Sequence, residues 1–236
     1  MDADFVFVHG FTQTPASWDP VLDAMQHELA ADGGVRLFIV PRTVVDGDFA
    51  RSAAALGVAT ATYIGYSQGG RLALQLALDR PELVRRLVLV SASPGIADPD
   101  ERATRRAADA RLAEEVARDG VDAFLARWLA QPLFATLPPE RAGLDARVAE
   151  NTVESLTEQL LVLGQGAQPS NWERLGELQV PVLLIVGALD TKYVGIAEQM
   201  AARIPDARVA VLPGAGHACH LEQPDRVAHL LTSFSA

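Results

Sequence analysis

The stretch TATYIGYSQGGRLAL, residues 60–74, passes from a β-branched and aromatic run to a leucine–alanine run at a serine flanked by glycines. This pattern predicts a strand before Ser67 and a helix after it. Residues 65–69, GYSQG, fit G-x-S-x-G, in which the glycines permit the strained turn that exposes a serine hydroxyl at the end of a strand. We therefore interpret Ser67 as a nucleophile or base. The alternative is a structural serine in a tight turn.

Similar apolar runs recur along the chain, and a segment of helical character follows each of them. In addition to residues 61–66, they cover residues 5–8, 36–40, 86–92, 182–188 and 208–212. Near-continuous apolar strands that alternate with helices indicate a parallel sheet covered on both faces. The predicted fold class is α/β.

The alternation stops between Pro94 and Pro181, where the sequence becomes helical and rich in alanine, arginine and glutamate. We expect an all-helical insertion after the fourth predicted strand. The predicted core comprises residues 1–94 and 178–236, and the predicted helical cap comprises residues 95–177. Open α/β sheets bind ligands at the carboxyl ends of their strands, so the cap is expected to lie over the site.

Composition excludes several classes of function. A formal charge of −10 over 236 residues argues against nonspecific binding to nucleic acid or to anionic membranes. The single cysteine excludes an internal disulfide framework, and no spacing of His, Cys or carboxylates is typical of a metal site. The sequence contains no charged-then-apolar leader and no apolar run near 18 residues. We expect a cytoplasmic protein without stable membrane insertion.

A serine hydroxyl needs a base to take its proton, and the base needs a carboxylate to orient it. The segment VLLIVGALD places Asp190 just after a predicted strand, and VAVLPGAGHACH places His217 just after the next one. Ser67, Asp190 and His217 are therefore predicted to form a catalytic triad. The alternatives are a helix cap for Asp190 and a surface-loop histidine for His217.

The loop after the first predicted strand is a candidate for binding an oxyanion. Such a site combines the N–H of the residue after the nucleophile with an N–H from an early loop, here those of Gln68 and Phe11. His9 in the same loop is expected to support it structurally. His220 could line the pocket or serve the structure.

Together these elements identify the chain as a member of the α/β-hydrolase superfamily, whose fold is a mostly parallel sheet flanked by helices. Six segments indicate a more specific family. They are GYSQGGRLAL, VSASPGI, FLARWLAQPLFATL, GQGAQPSNWERL, VGALDTKYVGIAEQM and GAGHACHLEQP. In order and spacing they resemble the family of synthases that form 2-succinyl-6-hydroxy-2,4-cyclohexadiene-1-carboxylate in menaquinone biosynthesis. The resemblance extends from residue 5 almost to the end and includes the helical insertion.

The resemblance implies a lyase that eliminates pyruvate from an anionic cyclohexene-carboxylate and needs no cofactor. It makes Ser67 the base, His217 its activator and Asp190 the residue that fixes the histidine tautomer. We expect a small anionic substrate as the partner, and a monomer or homodimer.

Substrate carboxylates would bind to Arg71 and Arg105, with Arg147 as a third candidate. Arg71 lies one helical turn beyond Ser67, so its guanidinium can stay near the site and bind a carboxylate with two hydrogen bonds. Arg105 belongs to a local cluster of arginines, for which the alternative is a solvated helix with i,i+4 pairs.

Aromatic side chains are predicted to wall the pocket. They are Trp128, Phe134 and Trp172 from the helical insertion and Tyr66 beside the serine. For the three residues of the insertion the alternative is the core of the cap itself.

Two departures from the superfamily pattern concern the pocket rim. The loop after Arg42, TVVDGDFARSAAALG, is shorter than usual, and the sequence begins almost at its first predicted strand, without the usual antiparallel edge strands. Neither departure involves the triad.

Two other functions are consistent with the pattern. A serine hydrolase, acting as a carboxylesterase or on a carbon–carbon bond, would use the same triad. A noncatalytic binding module could share the fold, although such modules usually lack a triad member. The arginines favour the lyase, because a neutral ester does not require two guanidinium groups.

Overall fold

Six parallel strands form the central sheet in the part of the chain that the computed structural model describes, residues 4–29, 36–39 and 46–235. Their order across the sheet is β2-β1-β3-β4-β5-β6, and every neighbouring pair is parallel. The strands are β1 Asp4–Val8, β2 Arg36–Ile39, β3 Ala61–Tyr66, β4 Val84–Val90, β5 Val182–Gly187 and β6 Ala207–Leu212. The predicted α/β class is confirmed.

Each predicted strand corresponds to an observed one, with small differences at the ends. The largest concerns β4, which begins and ends two residues earlier than the predicted 86–92; it ends at Val90 because Ser91 has a positive φ of 47°. Residue 40 of the second predicted strand lies outside the described residues, as do residues 43–45 at the start of the loop after Arg42. All described strands of the sheet pair in parallel.

Helices cover both faces of the sheet, because alternate strand residues point to opposite sides. In β1, Val6 and Val8 pack on one side with α2, α3 and α7, whereas Phe5 and Phe7 pack on the other with α1, α8 and α9. The helices of the core are α1 Asp19–Leu29, α2 Phe49–Ala54, α3 Gln68–Asp79, α7 Thr191–Ala201, α8 Cys219–Glu222 and α9 Pro224–Ser235.

The segment between β4 and β5 is helical, with no strand among its residues, all of which are described. Its α-helices are α4 Pro99–Leu129, α5 Leu144–Glu150 and α6 Val153–Leu163. Gly120, with a φ of 79°, kinks α4. The helices α4 and α6 pack around a small apolar cluster of their own, which contains Val116, Phe124, Leu125, Leu156 and Leu160.

The first turn of α3 lies directly against the ends of neighbouring strands, and the glycines of the G-x-S-x-G motif make this approach possible. A methyl group on Gly69 would lie 2.3 Å from the carbonyl oxygen of Val8, and one on Gly65 would lie 2.5 Å from the backbone of Gly70. Both distances are far below van der Waals contact. Side chains at these positions would push α3 away from the sheet and displace Ser67.

We expect Gly69→Ala to lower the free energy of unfolding by about 1–3 kcal/mol, because backbone must move to accept the methyl group. The matched control is Gly195→Ala within α7, where nothing lies within 4 Å of an added methyl group. That change should raise the free energy of unfolding by about 0.5–1 kcal/mol through helix propensity. Urea denaturation measures both, and two changes of the same sign would contradict the packing argument.

Candidate active site

Ser67 occupies a strained turn between β3 and α3. Its φ of 50° and ψ of −107° are unusual for a residue with a side chain. Its N–H donates to the carbonyl of Val90 at 2.9 Å, which holds the turn against the end of β4. The side chain therefore stands at the carboxyl edge of the sheet, as the sequence predicts for a nucleophile elbow.

His217 and Asp190 reach Ser67 from the loops after β6 and β5. Nδ1 of His217 lies 2.7 Å from Oδ2 of Asp190, and Nε2 of His217 lies 3.3 Å from Oγ of Ser67. Because an ionised carboxylate only accepts hydrogen bonds, Nδ1 carries a proton and Nε2 is free to accept the proton of the serine hydroxyl. The three groups form the hydrogen-bonded chain of a catalytic triad.

Asp190 also caps a helix. Its Oδ1 accepts the N–H of Tyr193 at 3.4 Å in the first turn of α7, while Oδ2 accepts from His217. The sequence analysis treats helix capping and triad membership as alternative roles of Asp190. Asp190 has both roles, because each of its two carboxylate oxygens accepts a different hydrogen bond. Capping fixes the carboxylate on a rigid element and so fixes the imidazole that it holds.

Aromatic rings surround the imidazole of His217. Ring centroids of Tyr193, Tyr66 and Phe134 lie 4.7, 5.5 and 6.2 Å from it. The side chain of His217 is only 3% exposed. These contacts restrict rotation of the ring and keep bulk water from its bond to Asp190.

A cavity of about 340 Å³ opens above Ser67 and His217. The predicted oxyanion residues Phe11 and Gln68 line it, as does Arg71 from α3. The helical segment supplies most of the opposite wall, with Arg105, Ala108, Asp109, Leu112, Trp128, Gln131, Leu133, Gln159, Leu160, Gly164 and Gln165. Ser67 and the helical segment therefore line the same cavity.

Arg71 is a buried cation in the wall of this cavity. Its Nη1 donates to Oε1 of Gln168 at 3.2 Å and its Nη2 donates to the carbonyl of Leu163 at 2.8 Å. Within the described residues no carboxylate lies at ion-pair distance from it. Burial lowers the pKa of Arg71 to about 10, so the guanidinium is charged at neutral pH. The cavity therefore contains a positive charge without an ion-pair partner, since Asp109 in the same wall is paired with Arg105 and interacts with Arg71 only at longer range.

Arg105 lies at the edge of the same cavity. Its Nε donates to Oδ1 of Asp109 at 2.7 Å, and its Nη1 donates to Oε1 of Gln165 at 2.8 Å. It also borders a second, wider groove, which shares Gln165 and Lys192 with the cavity. The sequence analysis gives an i,i+4 ion pair and a place in the pocket as alternatives for Arg105. In the structure Arg105 pairs with Asp109 and also lines the cavity.

The structure does not bring Arg147 to the triad. Arg147 is buried on α5, where it donates to Oγ1 of Thr12 and, at 2.7 Å, to the carbonyl of Ala142. It lines a separate cavity of about 320 Å³. Its position follows from the packing of α5 on the loop after β1, so in this structure Arg147 holds that loop.

Two predicted pocket aromatics also lie elsewhere, whereas Trp128 lines the cavity as predicted. Trp172 donates from Nε1 to the carbonyl of Gly95 at 3.0 Å and lies under the guanidinium of Arg203. It borders the wider groove rather than the triad cavity. Tyr66 is buried beneath the triad, with its ring 4.1 Å from that of His220.

His220 and His9 both have structural roles. His220 is fully buried, packs against Tyr66 with the two rings tilted by 41°, and lies 3.3 Å, Nε2 to Nε2, from the side chain of Gln13. Gln13 in turn accepts the N–H of Gly10 through Oε1. Burial lowers the pKa of His220 well below its usual range and lowers that of His9. Both imidazoles are neutral, and they support the loop that contains Phe11.

Sequence reasoning did not identify several residues of the cavity. Lys192 and Tyr193 lie two and three residues after Asp190, and Gln165 belongs to the GQGAQPSNW segment. Their positions next to recognised motifs were the available signal. No sequence signal indicated that Gln159 lines the cavity, because a glutamine inside an amphipathic helix resembles any polar surface residue.

Within the described residues, no group of three or more His, Cys, Asp or Glu side chains could hold a metal ion. No helix in that part of the chain has the length and apolar character needed to cross a membrane.

Comparisons with known proteins agree with this geometry. A model of the alpha/beta hydrolase family matches residues 5–230. A putative 2-succinyl-6-hydroxy-2,4-cyclohexadiene-1-carboxylate synthase from Bacillus subtilis is 36% identical, over 97% of this chain and 89% of that protein. The synthase of that name from Salmonella schwarzengrund is 30% identical, over 97% of this chain and 92% of that protein.

Solved structures show the same architecture. The structure of MenH from S. aureus superposes with a TM-score of 0.84 at 26% identity, covering 98% of this chain and 92% of the other. A thermophilic esterase from Thermogutta terrifontis superposes with a TM-score of 0.74 at 23% identity, covering 99% and 89%. At that identity the esterase demonstrates the shared fold alone.

The lowered pKa of His220 predicts a pH dependence of stability. Since the folded protein resists protonation of this ring, the unfolded chain binds the proton first, and the free energy of unfolding falls as pH drops below about 6.5. We expect His220→Asn to reduce this slope by up to about 1.4 kcal/mol per pH unit between pH 6.5 and 5. Urea denaturation across that range measures it, and parallel slopes for the two proteins would disprove the assignment.

Proposed function

The chain belongs to the alpha/beta hydrolase family, and we propose that within this family it acts as a 2-succinyl-6-hydroxy-2,4-cyclohexadiene-1-carboxylate synthase of menaquinone biosynthesis. It would eliminate pyruvate from an anionic cyclohexene-carboxylate. The single observation that carries the proposal is the buried guanidinium of Arg71, which no carboxylate neutralises, in the cavity of Ser67. A buried charge is stable only with a partner, and an anionic substrate supplies one.

In this proposal Ser67 is the base. Its oxygen takes a proton from the substrate ring as its own proton passes to Nε2 of His217, and Asp190 stabilises the imidazolium that forms. The electron pair of the broken C–H bond passes through the conjugated system and breaks the C–O bond to the enolpyruvyl group. Enolpyruvate leaves and becomes pyruvate by gaining a proton on carbon.

Negative charge develops on the substrate during this step, and the site offers donors for it. The backbone N–H groups of Phe11 and Gln68 are the proposed oxyanion hole. The amino terminus of α3, directly after Ser67, adds a favourable dipole. Arg71 and Arg105 bind substrate carboxylates in this scheme.

The helical residues 95–177 are proposed to act as a cap on the core. They contribute most of the cavity wall opposite Ser67, and Leu163 and Gln168 from this segment hold Arg71 in position. The cap therefore supports both the enclosure of the substrate and the orientation of the cation.

The triad alone is equally suited to a serine hydrolase, since the same oxygen acts as nucleophile or base according to what is bound. The cations favour the lyase, because a neutral ester offers nothing to neutralise Arg71. All three triad residues come from one chain, so a monomer or a homodimer would be complete. A cytoplasmic location is likewise part of the proposal.

Incubation with the enolpyruvyl-bearing cyclohexene-carboxylate should release pyruvate, which a coupled lactate dehydrogenase assay detects. Ser67→Ala should lower the turnover number at least about 10³-fold, because it removes the base. If folded wild-type protein releases no pyruvate, the proposed function is wrong. A rapid burst with p-nitrophenyl acetate and no pyruvate release would favour the hydrolase.

Arg71→Ala should lower kcat/KM for the anionic substrate by about 10²-fold or more, because a substrate carboxylate loses its buried partner. Hydrolysis of neutral p-nitrophenyl acetate should change much less. The matched control is Arg106→Ala, which removes an exposed arginine from the helix that contains Arg105. Equal losses for the anionic and neutral substrates would contradict the role of Arg71.

A further inference from the structure

The loop after β1 makes a tight turn over residues 10–13, which a hydrogen bond of 3.1 Å from the N–H of Gln13 to the carbonyl of Gly10 closes. Thr12 is the third residue of this turn and has a φ of 66°. Glycine or asparagine ordinarily takes such a position, because a positive φ is unfavourable for a β-branched residue. A strained residue persists only where surrounding contacts hold it. The contacts of Thr12 therefore fix the shape of the loop that contains Phe11.

Two side chains at the end of α5 bind Thr12, which is buried. Nη1 of Arg147 donates to Oγ1 of Thr12, and Nδ2 of Asn151 donates to the carbonyl oxygen of Thr12 at 2.9 Å. Burial lowers the pKa of Arg147 only to about 10, so the guanidinium is charged at neutral pH and its hydrogen bond is charge-assisted. Nδ2 of Asn151 also donates to the carbonyl of Arg147 at 2.8 Å. The two side chains thus form one connected support for Thr12.

The side chain of Phe11 packs against another part of the same helical segment. Its ring lies edge-on to those of Trp128 and Phe124 in α4, with centroids 5.1 and 6.2 Å apart. Residues 95–177 therefore contact both Phe11 and Thr12, although the loop itself belongs to the core. The position of the Phe11 backbone depends on how this segment sits against the loop.

We propose that Arg147 and Asn151 are positioning residues that, through Thr12, hold the N–H of Phe11 in the oxyanion hole. This inference rests on the oxyanion hole of the proposed function, which a hydrolase with the same triad would share. A donor stabilises developing charge only within hydrogen-bond distance, and a misplacement of about 1 Å can cost about 10²-fold in rate. Since Arg147 lines a cavity separate from that of Ser67, its effect is on turnover rather than on substrate binding.

Two substrates distinguish this role from direct binding of a substrate carboxylate by Arg147. A carboxylate ligand affects the anionic substrate alone, whereas a displaced oxyanion donor slows every reaction in which negative charge develops at the site. The first substrate is the enolpyruvyl-bearing cyclohexene-carboxylate, followed by pyruvate release. The second is neutral p-nitrophenyl acetate, with acylation of Ser67 followed by mass spectrometry.

Arg147→Met removes the guanidinium and retains an unbranched side chain. We expect kcat for pyruvate release to fall about tenfold while KM changes less than about twofold, because the donor is misplaced and the substrate contacts remain. Acylation of Ser67 by p-nitrophenyl acetate should slow by a similar factor. A merely structural role would lower the free energy of unfolding without changing these rates for the folded protein.

Thr12→Val removes only the acceptor Oγ1, and Asn151→Leu removes the donor to the carbonyl of Thr12. Each should lower kcat about fivefold, because each breaks one support of the turn. The double variant Arg147→Met/Thr12→Val should stay within about twofold of Arg147→Met, because both changes break the same hydrogen bond. Independent contributions would instead multiply to about fiftyfold.

The matched control is Arg141→Met, which removes another arginine from the cavity that Arg147 lines. Arg141 donates to the carbonyls of Leu221 and Glu222, at 3.3 and 2.8 Å from Nη1, and not to the loop after β1. It should leave both the turnover of the anionic substrate and the acylation rate unchanged.

The positioning role is wrong if Arg147→Met raises KM for the anionic substrate and leaves acylation unchanged, which would indicate a carboxylate ligand. It is also wrong if the folded variants keep wild-type rates, or if the effects of Arg147→Met and Thr12→Val multiply. Circular dichroism and urea denaturation establish that each variant is folded. If Arg147→Met does not fold, the rates of Thr12→Val and Asn151→Leu decide the result.

The acylation assay separates this inference from the lyase proposal. If wild-type protein is acylated at Ser67 but releases no pyruvate, the proposed function is wrong, and slower acylation of the variants still supports the positioning role. If wild-type protein releases pyruvate and the variants match it, the positioning role alone is wrong. If wild-type protein shows neither reaction, both proposals are wrong.

Discussion

The close approach of α3 to the end of β1 is the constraint on which the site depends. The Cα of Gly69 lies so near the carbonyl of Val8 that no side chain fits between them. This contact allows the helix to begin immediately after Ser67 and imposes a positive φ on the serine. The hydroxyl is thereby fixed at the edge of the sheet, where the loops after β5 and β6 bring Asp190 and His217 within hydrogen-bond reach.

Charge distribution determines selectivity in the proposed function. The chain carries a formal charge of −10, yet the cavity above the triad contains Arg71 without an ion-pair partner and Arg105 at its edge. An acidic surface offers little attraction to an anion, so the proposal assigns substrate binding to cations inside the cavity. Burial reduces water screening around Arg71, which would strengthen its interaction with a substrate carboxylate.

Hydrophobic periodicity and motif order were sufficient to predict the sheet and the triad. Parallel strands present their carboxyl ends at one edge, so residues just after β3, β5 and β6 had to meet there whatever the details of packing. The same reasoning placed Arg71 one turn along α3. It did not predict the positions of Arg147, Trp172 and Tyr66, whose side chains point to the loop after β1, the wider groove and the buried layer under the triad.

The sequence by itself determined the fold class, the order of the elements, the strained serine and its two partners, because these follow from short-range patterns and from the geometry of a parallel sheet. Only the tertiary structure decided which residues of the helical segment reach the cavity, because the directions of α4, α5 and α6 depend on how they pack against one another and against the core. It brought Trp128 and Gln159 to the wall of that cavity and Arg147 to a separate one. Contacts between residues distant in the chain have no signature in local periodicity.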